Sequence, residues 1–278
     1  MINSLARRFP PVRPLLVAWF AAIVGCTTLG PMPATTGISA VPAGRPGAEF
    51  QLAGVPGYYL SSSVGQSPKG AVISHLSMLV EPDSLLHVPG LIVGGRAVGS
   101  KDSGVYPEAM AGYRGVLDDG RRLAIAGVAY GTHASAGRQN ASYSATRIGA
   151  EAAVDWRVTP DSNWVELHLL GGGSVTGLNA SGEYCLAANG QYGIDCADPP
   201  VNLTRADASG LYPALNAGIA LDLGRRLPII FHGGRLALLA AAGTMPTVMG
   251  GEQQSARSYG SLGLSLSFGL GASGAAGR

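Results

Sequence analysis

Successive residues of the segment 258–270 differ in kind. Leu262, Leu264, Leu266, Phe268 and Leu270 are apolar, and Tyr259, Ser261, Gly263, Ser265, Ser267 and Gly269 between them are small or polar. A period of two belongs to a β-strand, whose side chains point alternately to opposite faces. The pattern recurs over 141–158, where Ile148, Ala150, Ala152, Val154, Trp156 and Val158 share one face and Arg147, Glu151, Asp155 and Arg157 the other. It recurs again over 211–223, with Leu211, Leu215, Ile219, Leu221 and Leu223 set against Asn216 and Asp222, and over 165–169, with Val165, Leu167 and Leu169 set against Glu166 and His168.

Alternation alone does not say which face meets water. Length helps: a strand crossing a bilayer at a tilt needs about 9–11 residues, whereas soluble strands centre on about 5–6. Only 13% of the 278 residues are charged, against about 25% in an ordinary soluble domain. No stretch beyond the first 30 residues is apolar for the roughly 20 residues a membrane helix needs. The polar faces carry charges of both signs among Gly and Ser, which suits a narrow lumen filled by side chains. The expected fold is all-β, an antiparallel up-and-down transmembrane β-barrel of about eight strands. Arg96, Arg114, Arg147, Glu151, Glu166, His168, Asp222 and Arg235 fall on its lumen face, and Arg147, Glu151 and Glu166 are expected in one ion-pair cluster. The other reading is a lipid-anchored soluble periplasmic β-barrel.

The strands are expected near 88–99, 108–118, 121–135, 141–158, 163–178, 211–223, 234–245 and 258–270. Short turns at 118–120 and 159–162, and a longer connection at 224–234, alternate with more generous ones at 100–107, 136–141, 179–210 and 249–257. Bacterial barrels have short periplasmic turns and longer outer loops, so the second group is expected outside the cell, Arg138 included, with both barrel ends periplasmic. Ala71–Val80 lies outside the barrel or is one of two extra strands. Over residues 85–270 this organisation resembles the small eight-stranded outer-membrane barrels of the OmpA/OmpX type. The strand carrying Phe268 is similar to the C-terminal signal read by the barrel-assembly machinery, which that resemblance makes a partner alongside outer-membrane lipid.

Arg7, Arg8 and Arg13 precede an apolar run from Leu15 to Gly25, a basic and an apolar region of secretory length. The run closes on Ile23-Val24-Gly25-Cys26, which resembles the bacterial lipobox. The resemblance implies residues 1–25 as signal peptide, Cys26 as the lipidated first residue, and lipoprotein-sorting machinery as a partner. Thr27 after it implies the outer membrane of a Gram-negative envelope. A plain signal peptide with an incidental Cys is the alternative. Of the three cysteines, Cys185 and Cys196 then remain. In an oxidising compartment they read as a disulfide stapling a loop, and otherwise as free thiols or a metal site. The Pro- and Gly-rich residues 26–84 read as a tether, although Phe50-Gln51-Leu52 is apolar enough to dock. Residues 271–278 read as a tail.

Chemical motifs are few. In Tyr130-Gly131-Thr132-His133-Ala134-Ser135, the i, i+2 spacing puts His133 and Ser135 on one strand face. The pair is similar to the His-x-Ser of barrel-type lipid A deacylases, and Glu151 or another acid would orient His133. No phosphate loop, zinc spacing or nucleotide fingerprint occurs, so no cofactor and no metal are expected. A net charge of +2 gives no basis for nucleic-acid binding. The expected function is a non-enzymatic outer-membrane β-barrel lipoprotein of the cell envelope, in a structural, surface-contact or narrow-conduit role with no extracellular ligand specified. A lipid hydrolase using His133 and Ser135 is the alternative.

Overall fold

A computed structural model describes residues 47–268 apart from 56–70, 83–86, 101–102, 119–121, 139–140, 161–164, 187–191, 194–202, 206, 224–233 and 250–251. Its strands are β1 (Gly47–Val55), β2 (Ala71–Val80), β3 (Leu91–Ser100), β4 (Ser103–Val116), β5 (Leu123–Arg138), β6 (Ala141–Arg157), β7 (Val165–Leu186), β8 (Tyr192–Gly193), β9 (Leu203–Arg205), β10 (Ala208–Leu223), β11 (Gly234–Met249) and β12 (Glu252–Phe268). Each strand from β1 to β7 pairs antiparallel with the next. β7 then pairs with β10, β10 with β11, β11 with β12, and β12 with β1. The result is a closed barrel of ten strands. Closure leaves no edge strand with unpaired backbone groups. Among the described residues, β8 and β9 pair with the far end of β7, outside this ring.

The barrel is inverted relative to a soluble protein. Leu211, Leu215 and Leu262 on its outside are 73%, 72% and 67% exposed, whereas Arg147 inside is 2% exposed. On β6 the apolar outer row runs from Ile148 to Val158, about the length a tilted strand needs to cross a bilayer. Beyond it the outward positions turn polar: Ser142, Ser144 and Thr146 on β6, His133 and Ser135 on β5, Asn179, Ser181 and Glu183 on β7. The strands therefore carry an apolar band and, past it, a polar collar.

At the end of the barrel where β4 meets β5, Asp118 Oδ1 accepts hydrogen bonds from the backbone N–H groups of Arg122 (2.6 Å) and Leu123 (2.9 Å). In the next turn on that side, Thr159 Oγ1 accepts from Leu167 N at 2.9 Å. Gly90 takes a left-handed φ of 80° where its carbonyl receives Arg114 N at 2.7 Å.

Three expectations need correction. The barrel has ten strands rather than about eight. The additional two, β1 and β2, lie inside 26–84, so the barrel starts at Gly47 instead of 85; Ala71–Val80 is one of two extra strands, the second of the two readings given for it. Both obey the period of two: Glu49 and Gln51 point in while Phe50 and Leu52 point out, and His75 and Ser77 point in while Leu76 points out. They are short and flanked by proline-containing segments, so each is stabilised by its neighbours in the closed sheet more than by its own pattern. Lastly, much of 100–107, 136–141 and 249–257 is strand. Only 101–102, 139–140 and 250–251 separate the paired strands there, and Arg138 ends β5 opposite Ala141. Residues 1–25 and 271–278 lie outside the described residues.

One inward glycine is fixed by sterics. Tyr130 on β5 reclines across Gly149, its partner on β6, and its hydroxyl lies 2.5 Å from Thr176 Oγ1 on β7. A Cβ at 149 would collide with the Tyr130 ring and sit 2.6 Å from the Val175 carbonyl oxygen, whereas a Cβ at the outward Gly127 meets nothing within 4 Å. Overpacking of this kind costs about 1–3 kcal/mol. Gly149→Ala is expected to lower the urea midpoint of the detergent-folded protein accordingly, with Gly127→Ala within about 0.5 kcal/mol of the parent.

Candidate functional site

Burying an unpaired charge costs several kcal/mol, so charges inside a packed lumen come in hydrogen-bonded sets. Two such sets fill this barrel. The first joins β3, β4 and β6. Arg96 Nε donates to Glu108 Oε2 at 2.7 Å and its Nη1 to Glu151 Oε1 at 2.6 Å. Arg147 Nε donates to Glu108 Oε1 at 2.6 Å, with Nη2 2.5 Å from the same oxygen. The order Arg147–Glu108–Arg96–Glu151 alternates in sign, and all four residues are buried. The Arg96 guanidinium also lies over the Tyr130 ring, 4.6 Å from its centroid, a cation–π contact that extends the set to β5.

The second set joins β6, β7, β10 and β11 nearer the end bearing the Asp118 turn. Arg235 Nη1 donates to Asp155 Oδ2 at 2.5 Å, Nη2 to Asp222 Oδ2 at 3.1 Å, and Nε to Asp222 Oδ1. His168 Nδ1 lies 2.6 Å from Asp155 Oδ1 and 3.2 Å from Arg235 Nη2. Arg157 Nη1 stands 3.5 Å from Glu166 Oε1. Asp222 is the cross-strand partner of both Glu166 and Arg235, so the row of charges is written into the register. On the β1–β2 side the lumen is polar but less paired. Ser265 donates to Glu49, while Gln51 and its cross-strand partner His75 are buried with no hydrogen bond to any described group.

The structure thus divides the residues singled out by alternation. Arg96, Arg147 and Glu151 belong to the first set, and His168, Asp222, Arg235 and Glu166 to the second. Of the single cluster expected for Arg147, Glu151 and Glu166, Arg147 and Glu151 stand in one set, joined through Glu108 and Arg96, while Glu166 faces Arg157 in the other. Arg114 shares the inward parity of Glu108 and is half-buried near the end of β4. Sequence reasoning misses Glu108, because the strand was expected to begin there. It misses Glu49 and Gln51 because 47–55 reads as tether, and His75 because the sequence leaves open whether Ala71–Val80 joins the barrel. Alternation did put Asp155 and Arg157 on the polar face of β6, but nothing in one sequence names their partners across the sheet.

His133 and Ser135 both point outward in the polar collar and are exposed. His133 Nδ1 is 2.8 Å from Thr146 Oγ1. Glu151 points into the lumen and pairs with Arg96, so it does not orient His133. Cys26 and Cys196 lie outside the described residues, as does the side chain of Cys185, and the lipid and disulfide readings lie there with them.

Fold and lumen together define a closed antiparallel barrel of the outer-membrane type, apolar outside and ion-paired within. No family model matches the chain, and no curated protein matches it. Among solved structures it matches Neisserial surface protein A, with 12% identity and a TM-score of 0.28 over 80% of this chain and 96% of that one. The reading of the lumen rests on this chain's own side chains.

Removing one member of a buried pair leaves the other uncompensated, at a cost of about 3–5 kcal/mol. Arg147→Ala is expected to destabilise the folded barrel by that order. Arg122→Ala, at an exposed turn position, is expected to change it by less than about 0.5 kcal/mol. Arg147→Ala combined with Glu108→Ala is expected to cost less than the two single changes added. Unfolding in urea with the protein in detergent reads all four.

Proposed function

We propose that this chain is an integral outer-membrane β-barrel of a Gram-negative cell envelope, anchored additionally by lipid at Cys26, with a structural or surface-contact role and no catalytic activity. The observation that carries the reading is the inversion of polarity. A continuous belt of exposed Leu, Ile and Val surrounds a core of buried arginines and carboxylates. In water that belt is a large unpaired apolar surface, while in a bilayer it is the solvated one. The lumen favours a structural role over a conduit, since Arg96, Glu108, Arg147 and Glu151 bridge across it. The exposed collar bearing His133, Ser135 and Glu183 supplies the polar surface for contact beyond the membrane. The ends of the barrel bearing Gly47 and Phe268 face the periplasm in this reading. Barrel-assembly and lipoprotein-sorting machinery deliver the chain.

The test separates this reading from a lipid-anchored soluble β-protein. Residues 27–278, exported behind an ordinary cleavable leader, are expected in the outer-membrane fraction and resistant to alkaline wash. Recovery of that form in the soluble periplasm would favour the anchored soluble protein. Fatty-acid labelling is expected for the parent and not for Cys26→Ala, and persistent labelling of the variant rules out lipid at Cys26. In planar bilayers the purified barrel is expected to be electrically silent, and a steady conductance would make it a conduit instead.

A further inference from the structure

Within the second ion-pair set, three side chains face one point. His168 Nε2 lies 3.7 Å from Glu166 Oε2 and 3.6 Å from Asp222 Oδ2, and the three atoms lie within 4.8 Å of one another. His168 is 8% exposed, and its Nε2 makes no hydrogen bond. We propose that Glu166, His168 and Asp222 bind a divalent transition-metal ion of the zinc class, which clamps β7 to β10 inside the lumen.

Distance is the first argument. Separations of 3.6–3.7 Å exceed an N–H···O hydrogen bond. They are close to the edge of a tetrahedron around a metal with bonds of about 2.1 Å, which is about 3.4 Å. The orientation of the imidazole is the second. Nδ1 lies 2.6 Å from Asp155 Oδ1, so its proton is donated to that carboxylate. In the neutral ring Nε2 then carries a lone pair aimed at two carboxylate oxygens, an arrangement that repels unless a cation sits between them. A carboxylate behind a histidine is also the usual outer shell of a metal-bound imidazole. The donors are mutually suited as well: one imidazole and two carboxylates match a borderline dication and leave a fourth position for water.

The surrounding charges permit the ion. Among the described residues of the set, the carboxylates of Asp155, Glu166 and Asp222 outnumber the guanidiniums of Arg157 and Arg235 by one. Arg235 Nε donates to Asp222 Oδ1 and Nη2 to Oδ2, which also faces His168 Nε2 at 3.6 Å. Glu166 turns Oε2 toward His168 Nε2, at 3.7 Å, and Oε1 toward Arg157 Nη1, at 3.5 Å. The carboxylates are partly open, at 16–18% side-chain exposure, so an ion can enter from the end of the barrel.

Untagged, detergent-folded protein is stripped with chelator, dialysed and titrated with Zn²⁺ and with Co²⁺. The expected result is one ion per chain, visible Co²⁺ absorption of tetrahedral intensity, and a thermal transition that rises with Zn²⁺ concentration. Glu166→Gln and His168→Gln are expected to lose at least tenfold in affinity and to abolish the Zn²⁺-dependent thermal shift. Asp155→Asn is expected to lose about 10–100-fold through the outer shell, and His133→Gln, in the collar, to bind as the parent does. Heat-modifiable electrophoretic mobility checks that each variant has folded. Glu166→Gln changes only a partly exposed group, so it keeps the test decisive if His168→Gln fails to fold. Absence of stoichiometric binding by the parent, or binding equal in parent and Glu166→Gln, overturns the site.

Discussion

A guanidinium taken out of water loses several kcal/mol of solvation, and only close carboxylates and hydrogen bonds return it. In this barrel Arg96, Arg147 and Arg235 are each 2–4% exposed, and each is held by carboxylates from other strands. The pairing works only if β3, β4 and β6 keep one register, and β6, β7, β10 and β11 another. A one-residue slip in any of them would turn a charge outward and an apolar residue inward. The ion pairs therefore fix the register, the register fixes which residues form the outer surface, and that surface decides which solvent the barrel needs. Buried salt bridges contribute less to stability than an apolar core of equal volume, but they penalise wrong arrangements heavily. That specificity complements the apolar side chains that also pack inside the barrel, Leu79, Ile92, Met110 and Val128 among them.

Small residues make the lumen networks possible. Gly149 leaves room for the Tyr130 ring to lie flat across β6 and reach Thr176, and the same ring supports the Arg96 guanidinium. One glycine on β6 thus connects the sheet sterics to the placement of a charge on β3, three strands away. Inward alanines at 124, 126, 145, 153, 214, 220, 237 and 241 similarly spare volume for the long side chains of arginine and glutamate.

Much of this was legible in the sequence where strands are long. Over 141–158, 211–223 and 258–270 the alternation gives the faces, and Arg147, Glu151 and Asp222 appear on the polar one. Alternation carries no information about partners, because those depend on register between strands far apart in the chain: Arg235 meets Asp155 across 80 positions. For β1 and β2 the signal was present but short, and the surrounding prolines argued for a tether. Pairing with β12 and β3 stabilises them as strands, a tertiary effect that outweighs local composition. The generous loops expected at 100–107 and 249–257 were misread for a related reason. Polar residues there signal a strand leaving the apolar band, and not the end of the strand.

The claim on which the account stands is that the exposed apolar rows face lipid and the charged rows face a closed lumen. Spin labels placed singly at 261 to 266 of β12, in protein reconstituted into bilayers, test it directly. Collision with oxygen should be high at 262, 264 and 266 and low at 261, 263 and 265, with a water-soluble relaxation agent reaching none of the even positions. High access of the water-soluble agent to 262, 264 and 266 would mean that the apolar rows are not in a membrane, and would contradict the account.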